Sequence, residues 1–269
     1  THSIIIKMKS ICLINLLLTI PLSLNLNAST KTLGDWANFQ QEADNLCRKN
    51  QHEDAIKIYD QVIKGRLPLQ GNRHRDIGVA WNNLGVAFYS QGENERAYEA
   101  YQKAIKILLP AVGAEHPDIL IVKTNIAFVE ESKNNFETAE KSFRELLKRK
   151  LPIVGAEHPE LADCQEGLAL SLVGQEKLEE ALLLLKKALI TRVKKLGKEH
   201  TDVGATHAAI AIIFLNQADF NNANKHDEEA RKILSITSGT YPPNLNTVSR
   251  LRPGPAELLH AKNKDLRIP

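Results

Sequence analysis

Apolar residues recur along this chain at the spacing of one helical face. Ala80, Leu84, Ala87 and Phe88 stand at i, i+4, i+7 and i+8, which predicts an amphipathic helix. Gln91, Gly92, Glu93 and Asn94 interrupt it with turn-forming residues. Ala97, Tyr101, Ala104, Ile105 and Leu108 resume the spacing and predict a second helix. The second pattern returns at Leu178, Ala181, Leu182, Leu185, Ala188 and Leu189.

The helix pair is itself repeated. His74, His116, His158 and His200 are 42 residues apart, each with a glycine three positions before and an acid two positions after. Ala55, Ala97, Ala139, Ala181 and Ala223 keep that interval, as do Ala43, Gly85, Ala127, Ala169 and Ala211. Pro68, Pro110 and Pro152 form a further series. Independent series in one register identify a tandem array. The small residues at 43, 85, 127, 169 and 211 let helix backbones approach, while Tyr59, Tyr101, Phe143 and Leu185 fill the space between units. At each joint, a proline such as Pro110 is expected to end the second helix, since it lacks a donor and clashes with the preceding turn. Gly113 reverses the chain, and Pro117 opens the next helix with Asp118 near its positive end. Glu42 and Asp227 break the apolar pattern in the first and last units, whose outer faces nothing covers. The predicted fold is all-α, a right-handed α-solenoid of five helix–turn–helix units over residues 32–235. The units fall near 34–75, 76–117, 118–159, 160–201 and 202–235.

The spacing of Ala97, Tyr101 and Ala104, with a small residue on the first helix, resembles the tetratricopeptide repeat. The 42-residue period and the joint Leu109-Pro110-Ala111-Val112-Gly113-Ala114-Glu115-His116-Pro117-Asp118, matched again at 151–160, are similar to the kinesin-light-chain-type subgroup. The resemblance covers roughly residues 32–235. It implies a curved array whose first helices line the concave side and bind extended peptides. It also implies that first-helix asparagines hold the peptide backbone, a role open to an amide that both donates and accepts. The motif is matched at Trp81-Asn82-Asn83-Leu84-Gly85 and more loosely at Lys123-Thr124-Asn125-Ile126-Ala127. It is lost at Gln165-Glu166-Gly167-Leu168-Ala169 and at His207-Ala208-Ala209-Ile210-Ala211. The candidate partner-binding residues are Gln40, Asp44, Asn82, Asn83, Val86, Tyr89, Thr124, Asn125, Phe128, Leu170, Val173 and Ile212. This face is expected to grade from polar in units 1–3 to apolar in units 4–5, where Leu215 joins the stripe.

Charge and composition narrow the function. The 269 residues carry a net charge of +3, and beyond residue 28 there are 33 basic against 32 acidic residues. A nearly neutral array lacks the electrostatic footprint of a nucleic-acid binder. Residues 1–28 read as a signal peptide, with Lys7 and Lys9, an apolar run from Ile11 to Leu26, and Ala28 at the cleavage point. Asn15, Pro21, Ser23 and Asn25 weaken a membrane-spanning reading. Met8 is the only methionine, so residues 1–7 can be upstream of the native start. Export to the periplasm or medium is expected, with an uncleaved membrane anchor as the alternative.

Chemistry is thin. Histidines one unit apart are separated by on the order of 10 Å, too far to share a zinc ion whose ligands sit ~2 Å away. A capping or packing role at the joints is expected instead. Cys47 and Cys164 fall in units 1 and 4, on the order of 30 Å apart, and are predicted to be free thiols. Glu130-Glu131, Glu179-Glu180, Lys148-Arg149-Lys150 and Lys194-Lys195 read as solvated charges. There is no phosphate loop, nucleophile elbow or His-Glu-x-x-His helix. No catalytic residue, metal or cofactor is expected, and the partner is a protein or peptide. The alternative is an assembly module of an envelope complex, and an enzyme on a helical scaffold is the weakest reading. Residues 236–269 lose the periodicity. They are expected to be irregular, either unfolded or docked over the apolar end of the groove between Tyr241 and Leu259.

Overall fold

The computed structural model describes residues 31–237, and the expected signal segment and nearly all of the tail lie outside that range. Ten helices are described: α1 (Leu33–Arg48), α2 (His52–Gln70), α3 (Arg75–Ser90), α4 (Asn94–Val112), α5 (Pro117–Ser132), α6 (Phe136–Val154), α7 (Pro159–Val173), α8 (Leu178–Leu196), α9 (Thr201–Asn216) and α10 (Phe220–Thr237). No strand occurs among the described residues. First helices begin at 33, 75, 117, 159 and 201, and second helices at 52, 94, 136, 178 and 220, so both keep the 42-residue interval. Each helix packs on its neighbours in sequence, and first helices of successive units also touch one another. Second helices do not approach each other comparably, so the array bends with its first helices on the inside.

Local chemistry starts and stops each element. The Nδ1 atoms of His74, His116, His158 and His200 accept the backbone N–H two residues on, at 3.2, 3.2, 3.3 and 3.2 Å. The recurrent histidines are therefore helix caps, satisfying a donor that the first turn leaves orphaned. Thr32 does the same for α1 in a capping box with Asp35. Between the helices of a pair, Asn50, Gly92, Asn134, Glu176 and Ala218 all have positive φ, at 58, 79, 63, 62 and 57°. The backbone bonds of Gly92 to Tyr89 and of Glu93 to Phe88 close the turn as a Schellman motif.

The prolines do not end the second helices. Pro68, Pro110 and Pro152 lie inside α2, α4 and α6, which continue to Gln70, Val112 and Val154. A proline this close to a helix end costs one hydrogen bond where carbonyls already face water. Termination falls to Gly71, Gly113, Gly155 and Gly197. Gly113 has φ 87° and ψ 164°, a region essentially closed to residues with a Cβ. Nothing lies within 4 Å of a Cβ built there, so the constraint is backbone geometry alone. Gly113→Ala is expected to lower the unfolding free energy by about 2 kcal/mol. An unchanged urea midpoint would show that the joint relaxes without cost.

Size-matched contacts hold the helices together, within a unit at Gly85 and between units at Gly167. Tyr59, Tyr101, Phe143 and Leu185 are all essentially buried, and so are Ala97 and Ala139 at their equivalent positions. A Cβ at Gly85 would come within 2.5 Å of the Tyr101 ring, and one at Gly167 within 2.2 Å of the Phe143 ring. The glycines are the space those rings occupy.

A buried cation ties most joints. Arg66 donates to Asp76 at 2.8 Å, Lys150 to Glu160 at 3.1 Å, and Arg192 to the Asp202 carbonyl at 3.2 Å. Lys150 is only 3% exposed, so the expectation of a solvated basic run fails at its last member. Cys47 and Cys164 are free thiols.

Candidate concave binding face

The inner face is built from the first helices α1, α3, α5, α7 and α9. Gln40, Asp44, Asn83, Tyr89, Asn125, Phe128 and Leu170 are partly exposed there, and Val86 is open to solvent. Asn82, Thr124, Val173 and Ile212 are buried, so they support the face and do not form its surface.

In units 1–3 the polar residues join into a ladder across the helices. Asp44 accepts from the Tyr59 hydroxyl and, at 3.1 Å, from Asn83 Nδ2. Asn82 Nδ2 donates to Asn83 Oδ1 at 3.2 Å, and Asn125 Nδ2 donates to Asn82 Oδ1 at 2.9 Å. Each amide in the chain keeps one N–H or one carbonyl lone pair unspent. Thr124 leaves the ladder, bonding back to the Leu120 carbonyl at 2.7 Å and lying 3.8 Å from Cys164 Sγ. Beside the ladder, a cleft of about 340 Å³ opens between Gln40, Asp44, Arg75 and Asp118.

Units 4 and 5 keep only half of the expected apolar stripe: Leu170 and Leu215 are partly exposed, while Val173 and Ile212 are buried. Val173 and Ile212 belong to the core with Leu168, Leu172 and Ile213. The small residues Gly167, against the Phe143 ring, and Ala209, in the same core, let neighbouring helices come close there. Beneath the face there lies a buried ionic cluster. Arg192, 5% exposed, donates to Glu166, to Thr206 at 2.6 Å and to Asp163 at 2.7 Å. Burial pushes the Glu166 carboxyl above its ordinary range, and Arg192 opposes the shift.

Two groups escaped the sequence reading. Glu131 is not solvated but 2% exposed, and its Oε1 has no hydrogen-bond partner. Burial, with repulsion from Glu166, lifts its carboxyl to about 7. His207 and His226 bring their Nδ1 atoms within 2.8 Å between α9 and α10. Burial lowers both rings, His226 to about 4. Among the described residues no group of three or more side chains could hold a metal ion, and no helix is long and apolar enough to cross a membrane.

Comparison with known proteins places this geometry. No curated protein matches the chain. Among solved structures, BtubC from P. vanneervenii is similar with a TM-score of 0.58 at 19% identity, over 78% of this chain and 84% of that one. A kinesin light chain with nearly identical TPR-like repeats from Podosopora anserina gives 0.55 at 18% identity, over 78% of this chain and 100% of that one. The Rap conjugation gene regulator of plasmid pLS20, in complex with the Phr* peptide, gives 0.65 at 13% identity, over 81% of this chain and 60% of that one. At these identities the likeness is one of fold. The sequence profile of the tetratricopeptide repeat matches residues 37–109 and 118–190. With the 42-residue helix pairs described above, that match over more than half of the sequence places the chain in the tetratricopeptide repeat family.

Proposed function

We propose that this chain is an exported, non-catalytic scaffold that holds an extended segment of a protein or peptide on its concave face. The observation that carries this reading is the ladder from Asp44 through Asn83 and Asn82 to Asn125. Amides fixed by one another meet a partner's backbone with little rotamer entropy left to lose. Their unspent donors and acceptors suit an extended chain, whose N–H and C=O groups alternate in direction. The peptide bound by the similarly folded Rap regulator supports the same use of such an array.

Peptides selected from a random displayed library against the full chain provide the probe. Asn83→Ala and Asn125→Ala are each expected to weaken binding about tenfold, the worth of one backbone hydrogen bond. Equal affinity for the parent and the double variant would sink the reading. One observation favours assembly as a second reading. Leu67, Leu109, Leu151 and Val193 share one register on the second helices and are 40–48% exposed, forming an apolar ridge. An elution volume that shifts with protein concentration would favour it.

A further inference from the structure

Asp44 lies on the inner face of α1, close to the end of that helix at Arg48. An acid is ordinarily favoured at the opposite end, because the carbonyl end of a helix is negative. Asp44 is nonetheless firmly held. Its Oδ1 accepts from the Tyr59 hydroxyl and, at 3.1 Å, from Asn83 Nδ2, and Tyr59 is only 2% exposed. Both donors are neutral, and neither bond uses Oδ2.

Asp44 also lines the cleft of about 340 Å³ between α1 and α3. Two further carboxylates line it, and each already has a cation. Arg66 donates to Asp76 at 2.8 Å, and Arg75 to Asp118 at 2.6 and 3.0 Å. Among the described residues no cation is paired with Asp44. Three acids against two bases leave the cleft with one negative charge unanswered, and Asp44 carries it. Ala37 and Val79 supply an apolar wall beside it. The volume is at the small end of ligand sites and suits one long side chain. Lysine and arginine have the matching form, an apolar stem that lies along such a wall and a charged head.

We propose that this cleft takes a lysine or arginine side chain of the bound segment, with the head on Asp44 Oδ2 and the stem along Ala37 and Val79. The inference rests on the concave face being the binding face, and it adds what the segment carries: a basic residue at one fixed position. The amide ladder begins at the same carboxylate, so a backbone held by Asn83 and Asn125 has a side chain within reach of the cleft. An acidic side chain is not expected there, because Arg66 and Arg75 are taken by their own aspartates.

Peptides selected from a random displayed library against the full chain are again the probe. The selected sequences are expected to share a lysine or arginine at one position. Replacing it by norleucine or citrulline keeps the stem and removes the charge, and should weaken binding about tenfold, the worth of one hydrogen bond to a charged group. Asp44→Asn should weaken the basic peptide by the same factor. The two losses should not add, because the amide oxygen still accepts from Tyr59 and Asn83 but carries no charge. Added salt should weaken the basic peptide more than the neutral one. Far-UV circular dichroism verifies the fold of Asp44→Asn, and the norleucine comparison uses the unaltered protein. Selected peptides without a shared basic residue, or a charge preference that survives Asp44→Asn, overturn the proposal. Peptides that share an acidic residue overturn it in favour of a carboxylate ligand for Arg66 and Arg75. In each of these cases binding that still falls with Asn83→Ala leaves the peptide-holding reading intact. A library that yields no binder sinks that reading, and this inference with it.

Discussion

Arg192→Met is expected to lower the unfolding free energy by about 3–5 kcal/mol, the cost of leaving one member of a buried ion pair uncompensated. Among the described residues Arg192 is the one cation bonded to Glu166, and Glu166 is 5% exposed. Methionine fills much of the volume but returns no charge. Asp163 loses the same partner, and burial already raises its carboxyl, so it takes a lesser share of the penalty than the more deeply buried Glu166. The variant also acquires a pH signature. Without Arg192 the Glu166 carboxyl, already pushed up by burial, rises further. A folded-state value above the unfolded one gives stability that is complete at acid pH and lost as pH rises through the folded value. Acid should therefore restore part of the deficit. Adding Glu166→Leu should recover most of it, since an apolar pair of similar volume is commonly no worse than the ion pair. Chemical denaturation of the four members of the cycle gives the coupling. A single variant within about 1 kcal/mol of the parent would show that Glu166 finds another partner or water.

The second large effect has the opposite sign. Glu131→Gln is expected to stabilise the protein at pH 8 by about 3 kcal/mol, and to leave it unchanged near pH 4. Burial first, and Glu166 second, raise this carboxyl to about 7. An unfolded glutamate titrates near ~4.3. Between those values the folded state holds a proton that the unfolded state releases. Stability is complete below the lower value, declines through the window, and levels off above the upper one. Glutamine stays neutral throughout and abolishes the slope. Urea midpoints at several pH values distinguish the two curves, and parallel profiles would refute the assignment.

How much of this was legible beforehand follows from what a register can and cannot encode. The helix pairs, the histidine caps and the free thiols follow from residue type and interval alone. Glu131 was also within reach: in the 42-residue register it stands between Tyr89 and Val173, at an inward position. Reading it with its neighbour Glu130 hid that. Lys150 shares its register with Arg66 and Arg192, which marks a recurrent joint cation and not a solvated run. The concave face was harder. Asn83 and Asn125 lie where the repeat motif puts them, but whether Val173 and Ile212 are open or covered depends on how far the helices close. Gly167 and Ala209 pack against side chains of the preceding unit, a contact that no single-unit pattern reports. The prolines misled for a related reason: the rule against them applies to a helix interior, and these lie in the last turn.

One joint lacks the buried cation. Leu108 stands where Arg66, Lys150 and Arg192 stand in other units, and Asp118 is held instead by Arg75, at 2.6 and 3.0 Å. The Arg75 side chain is 49% exposed, so dissolved ions screen its attraction to Asp118 far more than they screen a buried contact. The seam between the second and third segments is therefore held by apolar packing, Leu108 lying in one core with Ile119 and Val122, and by an ion pair that added salt weakens. The amide ladder crosses that seam from Asn82 to Asn125. Of the ties at this joint, added salt weakens the outer one and leaves the apolar one in place.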